Sequence, residues 1–302
     1  MGKTTRLKGD LDDVEALLEI ITVLKDVSTN RFFQFAQRKE DLGKFLQVFL
    51  IFFDMLGSAE TECPLVKNDH PGTDVLCISS EASFMSQLNS RVARAAHMEY
   101  QKAKGKATLV CVGWRGADRC KALGMKVEQL YRDVDRQGLY NVALQVRDYL
   151  IDRMMSGTTG RVVCVYTWAK SFNIIKPRAV SLLPAVELLG GEEEEGESQG
   201  ANGEGQQADA PVRRRHFLQE SSIDGIMRVL ADVWVSSRIY EILSDQKLAE
   251  AASQAQQLEQ SIEGLSKEKK GLALSLKKSQ RGDLNKAMRE VFTSSKLCGK
   301  KR

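Results

Sequence analysis

Glu81 follows an apolar run, Thr73 to Ser79, that reads as a buried strand. Its carboxylate therefore stands at the carboxyl edge of a sheet, where open α/β folds bind ligands. The role expected of it is nonetheless a helix cap or a surface group. His70, His97 and His216 are scattered over loop, helix and linker, and none accompanies a serine or cysteine in a nucleophile turn. Cys77, Cys111 and Cys164 each sit inside a short apolar run of strand type. They read as free, buried thiols in a reducing compartment, because the chain has no C-x-x-C pair and no His-containing set with metal spacing. A phosphate-cradling loop needs G-x-x-x-x-G-K-[ST] after a strand, whereas Gly2-Lys3-Thr4 lacks both the first glycine and the strand. The dinucleotide pattern G-x-G-x-x-G is replaced by Ser79-Ser80-Glu81-Ala82-Ser83. No catalytic residue, cofactor site or metal site is assigned.

The elements that would position these residues are set by composition and periodicity. With 302 residues, 42% hydrophobic and 28% charged, the chain can form one sizeable domain plus an extension. Its 44 basic and 40 acidic residues nearly balance, which does not suggest a nucleic-acid partner. The N-terminus carries no apolar core of a secretory signal. The longest apolar run, Phe45 to Leu56, is interrupted by Gln47 and Asp54 and is too short to cross a bilayer.

From Leu11 to Leu56, apolar residues including Val14, Leu17, Leu18, Ile21, Leu24 and Val27 fall mostly three and four apart, which predicts a long helix. Asp10, Asp12 and Asp13 are expected to sit at its positive end. Pro64, Pro71 and Gly72 end helical structure. Next come a strand (73–79), a helix (84–104), a strand (107–112), a short helix (117–123), a helix (141–155) and a third strand (161–167). Strand and helix in alternation predict an α/β domain with a parallel sheet between layers of helices. Glu192, Glu193, Glu194, Glu195 and Glu197 then mark an acidic, flexible segment rich in Gly, Gln and Ser.

Residues 221–295 contain no proline and predict a helix on the order of 110 Å long. Leu248, Ala251, Ala255, Leu258, Ile262, Leu265, Leu272 and Leu276 give it a coiled-coil seam interrupted by Lys269. Gly264, Gly271 and Gly282 are expected to ease bending or a close approach. A rod of this kind cannot bury its own apolar stripe. Pairing with the first helix in an antiparallel coiled coil is the simplest solution. The division expected is an N-terminal shaft helix (1–62), an α/β globular domain (73–189), an acidic insertion (190–215) and a C-terminal shaft helix (216–302).

Several local strings resemble the gamma subunit of rotary, F-type ATP synthases. After the first strand, Ile78-Ser79-Ser80-Glu81-Ala82-Ser83-Phe84-Met85-Ser86-Gln87-Leu88-Asn89-Ser90-Arg91-Val92 is similar to the family's I-T-S-D-R-G-L-C-G-G-F-N-S-N-V, without its glycines and cysteine. Val112-Gly113-Trp114-Arg115-Gly116-Ala117-Asp118 is similar to V-G-R-K-G-R-D, and Val165-Tyr166-Thr167-Trp168 with Leu182-Leu183-Pro184 to V-Y-N-K-F and L-L-P. In the first helix, Leu24 to Phe32 is similar to M-K-M-V-A-A-A-K-L. Together with the two terminal helices, these strings cover nearly the whole chain.

The resemblance implies a non-catalytic rotor shaft, turning within a hexamer of alpha and beta subunits and gripping the epsilon subunit and the membrane c-ring. It implies the cytoplasmic face of an energy-transducing membrane, with coupling of proton or sodium flow to ATP synthesis or hydrolysis. Lys25 and Arg31 match basic family positions that face acidic loops of the ring. The glycine-poor turn, Asp26, the acidic insertion and the basic end Lys300-Lys301-Arg302 mark a divergent member. The alternative is a scaffold or regulatory protein with a dimerising coiled-coil arm and a ligand-binding α/β domain.

Overall fold

A computed structural model of the chain describes residues 3–56, 63–83, 85–103, 105–185 and 222–298. The acidic segment at 190–215 and His216 lie outside the described residues. The elements run α1 (Lys3–Leu56), β1 (Thr73–Ile78), α2 (Ser86–Lys102), β2 (Ala107–Val112), α3 (Trp114–Ala122), β3 (Val127–Tyr131), α4 (Val134–Gln137), α5 (Leu139–Met155), β4 (Arg161–Ser171), β5 (Ile174–Leu183) and α6 (Ile223–Cys298). They form two compact units: Met1–Asn30 with Gln254–Arg302, and Arg31–Ser253.

The first unit is an antiparallel pair of helical segments from α1 and α6. Thr4 Oγ1 lies 2.8 Å from Ser279 Oγ, Glu15 pairs with Lys269 at 3.1 Å and Lys25 with Glu259 at 3.2 Å, so partner numbers fall as α1 numbers rise. The inward positions of α1 are Leu7, Leu11, Val14, Leu18, Ile21, Lys25 and Ser28, in steps of four and three as coiled-coil packing requires. On α6, Ala255, Leu258, Ile262, Leu265, Leu272 and Leu276 are buried or half-buried, as their spacing predicts, and Lys269 meets Glu15.

Two expectations for these helices are corrected. α1 starts at Lys3, not Leu11, so Asp10, Asp12 and Asp13 stand well inside the helix rather than at its positive end. The cause is the partner helix: Thr4 donates to Asp283 and half-buried Leu7 continues the seam. Gly264, Gly271 and Gly282 face open space, with no atom within 4 Å of where a Cβ would stand, so they serve no close approach.

The second unit holds a five-stranded sheet in the order β3-β2-β1-β4-β5. β3, β2, β1 and β4 run parallel, and β5 pairs antiparallel with β4. Alternate side chains of the strands point to opposite faces. Leu76, Ile78, Val110, Val112 and Cys164 pack against α5 residues such as Val146 and Leu150, and against α6 residues such as Trp234, Ile239 and Leu243. Val75, Cys77, Leu109 and Cys111 pack against Val92, Ala93 and Ala96 of α2 and Ala117 of α3. The expected three layers are thus present, with an antiparallel strand added at one edge. Pro177 in β5 is tolerated at an edge, where one side of the strand needs no ladder hydrogen bonds.

At the amino end of the sheet, Asp74 is fully buried and takes both arms of Arg153, at 2.7 and 3.0 Å. The guanidinium also donates to Thr108 at 3.0 Å, completing a charge-assisted network that ties α5 to β1 and β2.

Candidate functional site

Without the glycines of the resembling pattern, the turn after β1 is built from hydroxyls and one amide. Asn89, on α2, accepts from the Ser80 amide at 2.9 Å and donates to the Ser80 carbonyl at 2.8 Å. Ser79 Oγ reaches the carbonyls of Val112 and Gly113 at 3.0 and 3.1 Å. Gly113 has φ +92°, and a Cβ on Gly116 would stand 2.2 Å from Ser79 Oγ. Those two glycines let α3 begin directly over Ser79. The helix therefore starts at Trp114, three residues before the position its apolar pattern suggests.

Glu81 closes this edge as a cap. Its Oε1 accepts from the amides of Trp114 and Asp133 at 3.3 and 3.2 Å, and Oε2 from Val134 at 3.1 Å. One carboxylate thus serves the N-termini of α3 and α4, where orphan N–H groups favour negative charge. All three of its acceptor contacts go to the backbone, which is a structural use rather than acid–base chemistry.

In a 3-2-1-4-5 sheet the chain reverses between β1 and β4, and ligands enter beyond the carboxyl ends of those strands. Here α6 fills that place. Gln246 Oε1 accepts from the Thr167 amide at 2.8 Å, just past the point where β1 stops pairing with β4. Lys247 bridges Asp135 at 2.7 Å and Glu250 at 3.3 Å. Burial works against the Lys247 charge, but Glu250 and Asp135 outweigh it and raise its pKa. The Glu250 pKa is raised by burial, against the pull of Lys247 and a hydrogen bond with Ser80. The cavity left among Ile78, Ser79, Glu81, Val112, Leu243 and Gln246 measures about 10 Å³, about the room one water needs. A nucleotide does not fit it.

The residues with possible chemistry are placed as follows. His70 accepts the Gly72 amide at 3.1 Å in a tight turn, and half-buried His97 lies 2.7 Å from Gln101, one turn along α2. Lys3 and Thr4 lie in α1, and Thr4 is engaged with the helix partner rather than in a phosphate loop. Lys25 belongs to the helix-pair unit and is engaged with Glu259, whereas exposed Arg31 belongs to the sheet-bearing unit. Beside the seam, Leu17, Ile20, Leu24 and Val27 form an exposed apolar ridge on α1. Leu284, Met288, Val291 and Phe292 are likewise exposed on α6.

One grouping escapes sequence reasoning altogether. Cys77 of β1, Cys111 of β2 and Cys120 of α3 bring their Sγ atoms within 4.8 Å of one another. The mutual contacts of the three thiols lower the Cys120 pKa against burial and raise that of Cys77. The available signal was register: Cys77 and Cys111 are direct partners on adjacent parallel strands.

Comparison with known proteins follows this architecture. The ATP synthase family model matches residues 3–294. The ATP synthase gamma chain of Pelotomaculum thermopropionicum is 22% identical over 216 residues, covering 72% of this chain and 70% of the relative. That of Chlorobium phaeobacteroides (strain BS1) is 21% identical over 255 residues, covering 80% and 81%. Among solved structures, a chain of the Euglena gracilis mitochondrial ATP synthase aligns with TM-score 0.60 at 14% identity, covering 100% of this chain and 97% of that one. A central-stalk chain of the Tetrahymena thermophila mitochondrial enzyme aligns with TM-score 0.58 at 15% identity, covering 80% and 99%. A paired helical unit, a sheet whose ligand crevice is filled by its own helix, and a family match over nearly every residue converge: the chain belongs to the ATP synthase family, as a divergent gamma subunit.

Proposed function

We propose that the chain is the central rotor shaft of a rotary ATP synthase and couples proton or sodium flow through the membrane c-ring to ATP synthesis or hydrolysis in a surrounding alpha/beta hexamer. The observation that carries this reading is the pairing of α1 with α6 inside one chain, which satisfies the seam yet leaves the ridge Leu17, Ile20, Leu24 and Val27 exposed. An exposed apolar ridge on an already paired helix calls for surrounding protein. The shaft presents different faces to successive catalytic sites, and those differential contacts shift the binding state of each site. Catalysis stays with the hexamer, and this chain contributes no catalytic residue and no cofactor.

Lys25 and Arg31 are the proposed contacts to acidic loops of the ring, with the epsilon subunit and the c-ring as further partners. No described helix is long and apolar enough to cross a membrane. In the rotor reading, attachment on the cytoplasmic face goes through those partners. The scaffold alternative is weakened on both of its requirements. Its dimerising arm would need the α6 seam that α1 already occupies, and its ligand crevice is filled by Gln246 and Lys247.

The test is affinity purification of the tagged, full-length chain from its own cells. Alpha and beta subunits with ATP-hydrolysing activity are expected to come with it. Recovery as a lone, stable monomer would overturn the reading.

A further inference from the structure

We propose that Cys77, Cys111 and Cys120 form a buried trithiolate site for one thiophilic d10 cation of the zinc class, with His97 as the fourth donor. Three separate elements supply the sulfurs: β1 and β2, paired at Cys77 and Cys111, and α3, which lays Cys120 over them. The three residues are 0–1% exposed, and Cys120 Sγ is 3.8 Å from Cys77 Sγ. Zinc–sulfur bonds of about 2.3 Å in a tetrahedron set neighbouring sulfurs about 3.8 Å apart. Sulfur donors select soft ions over magnesium or calcium.

A closed structural zinc site takes four protein ligands, and the sequence-distant fourth is on the adjoining helix. His97 follows Ala96, which packs in the same apolar cluster as the cysteines. Its Nδ1 is buried without a hydrogen-bond partner, while Nε2 faces Gln101. Ligation through Nδ1 requires the Gln101 amide to turn its oxygen toward an Nε2–H, because the amide nitrogen that faces Nε2 can only donate. His97 is outside the 4.8 Å grouping of the three sulfurs, so the proposed fourth bond requires its ring to move closer to them. The site lies on the α2–α3 face of the sheet and is independent of the rotor reading.

The test uses the full-length chain in whatever assembly it purifies with, from zinc-supplemented cells and without chelators. Elemental analysis is expected to give about one zinc per chain. X-ray absorption is expected to give three sulfur neighbours at about 2.3 Å and one nitrogen at about 2.0 Å. His97→Ala should lose the nitrogen and keep the sulfurs, and Cys120→Ala should lose the ion. Cys164→Ala, on the opposite face of the sheet, should retain it. Wild-type chain carrying only a trace of zinc, or zinc without sulfur neighbours, overturns the proposal. Because the wild type alone decides, a folding defect in a variant does not rescue it.

Discussion

Gln246 of α6 accepts the amide hydrogen of Thr167 in β4 at 2.8 Å, and both residues are buried. The bond continues the sheet's hydrogen bonding onto a helix, at the point where β1 has ended and the β4 backbone would otherwise face an apolar wall. Gln246→Leu should therefore leave an unpaired N–H and cost about 1–3 kcal/mol. Denaturant unfolding measures the loss, and faster hydrogen exchange at the Thr167 amide should accompany it. Unchanged exchange would mean that α6 does not hold this strand.

Gly116 and Ser79 are matched in size. A Cβ on Gly116 would stand 2.2 Å from Ser79 Oγ and 2.3 Å from its Cβ. Gly116→Ala should destabilise by about 1–3 kcal/mol through overpacking. In a Ser79→Gly background the same change should turn stabilising, since alanine is favoured over glycine in a helix by up to about 1 kcal/mol. A double-mutant cycle in chemical denaturation reads the reversal of sign.

Asp245 and Glu250 give stability a pH dependence opposite to that of an ordinary surface carboxylate. Burial raises the pKa of Asp245, and the Lys39 ammonium 2.7 Å away only partly offsets it. Glu250 is raised for the same reason, against Lys247. The folded state keeps these protons after the unfolded chain has released them at about pH 4. Their contribution is thus largest at low pH and is lost as pH rises through the raised folded values. Asp245→Asn should gain stability relative to wild type as pH rises from about 4, where the two states begin to differ in bound protons. Thermal unfolding at several pH values follows the difference, and a flat profile would contradict it.

Lys25 and Glu259 allow ring contact to be separated from helix pairing. Their ion pair is 3.2 Å long and substantially exposed, so breaking it with Lys25→Glu should cost under about 1 kcal/mol. If Lys25 also meets acidic loops of a catalytic ring, the variant should lose ATP hydrolysis in the assembled complex. Adding Glu259→Lys restores the pair but not the ring contact. Activity that recovers fully in the double variant would confine Lys25 to a role within the helix pair.

The long helices and the alternation of strand and helix were legible because each depends on neighbours within a few residues; a capping role for Glu81 was legible from its place after β1, although the amides it caps, Trp114, Asp133 and Val134, are brought to it by the fold. The face of α1 was not. Leu17, Leu24 and Val27 suit a seam as well as Leu18 and Ile21 do, yet they point outward while Lys25 and Ser28 take inward positions. Two apolar stripes compete on one helix, and only the partner selects between them. β3 and β5 escaped notice because Glu128, Gln129, Lys176 and Arg178 interrupt their apolar pattern, as edge strands permit. The cysteine cluster escaped because strand register and helix packing, rather than spacing along the chain, bring Cys120 to Cys77.

The contacts that fill the sheet's crevice differ in kind from those of a greasy core. Apolar surfaces resist separation but yield to sliding, since one leucine serves nearly as well as the next. The Gln246, Lys247 and Glu250 contacts are directional, lie within about one turn of α6 and reach different partners. They act as keys in a keyway, fixing the azimuth of the helix about its own axis where it meets the sheet, so that twisting it must break polar bonds rather than slip past them.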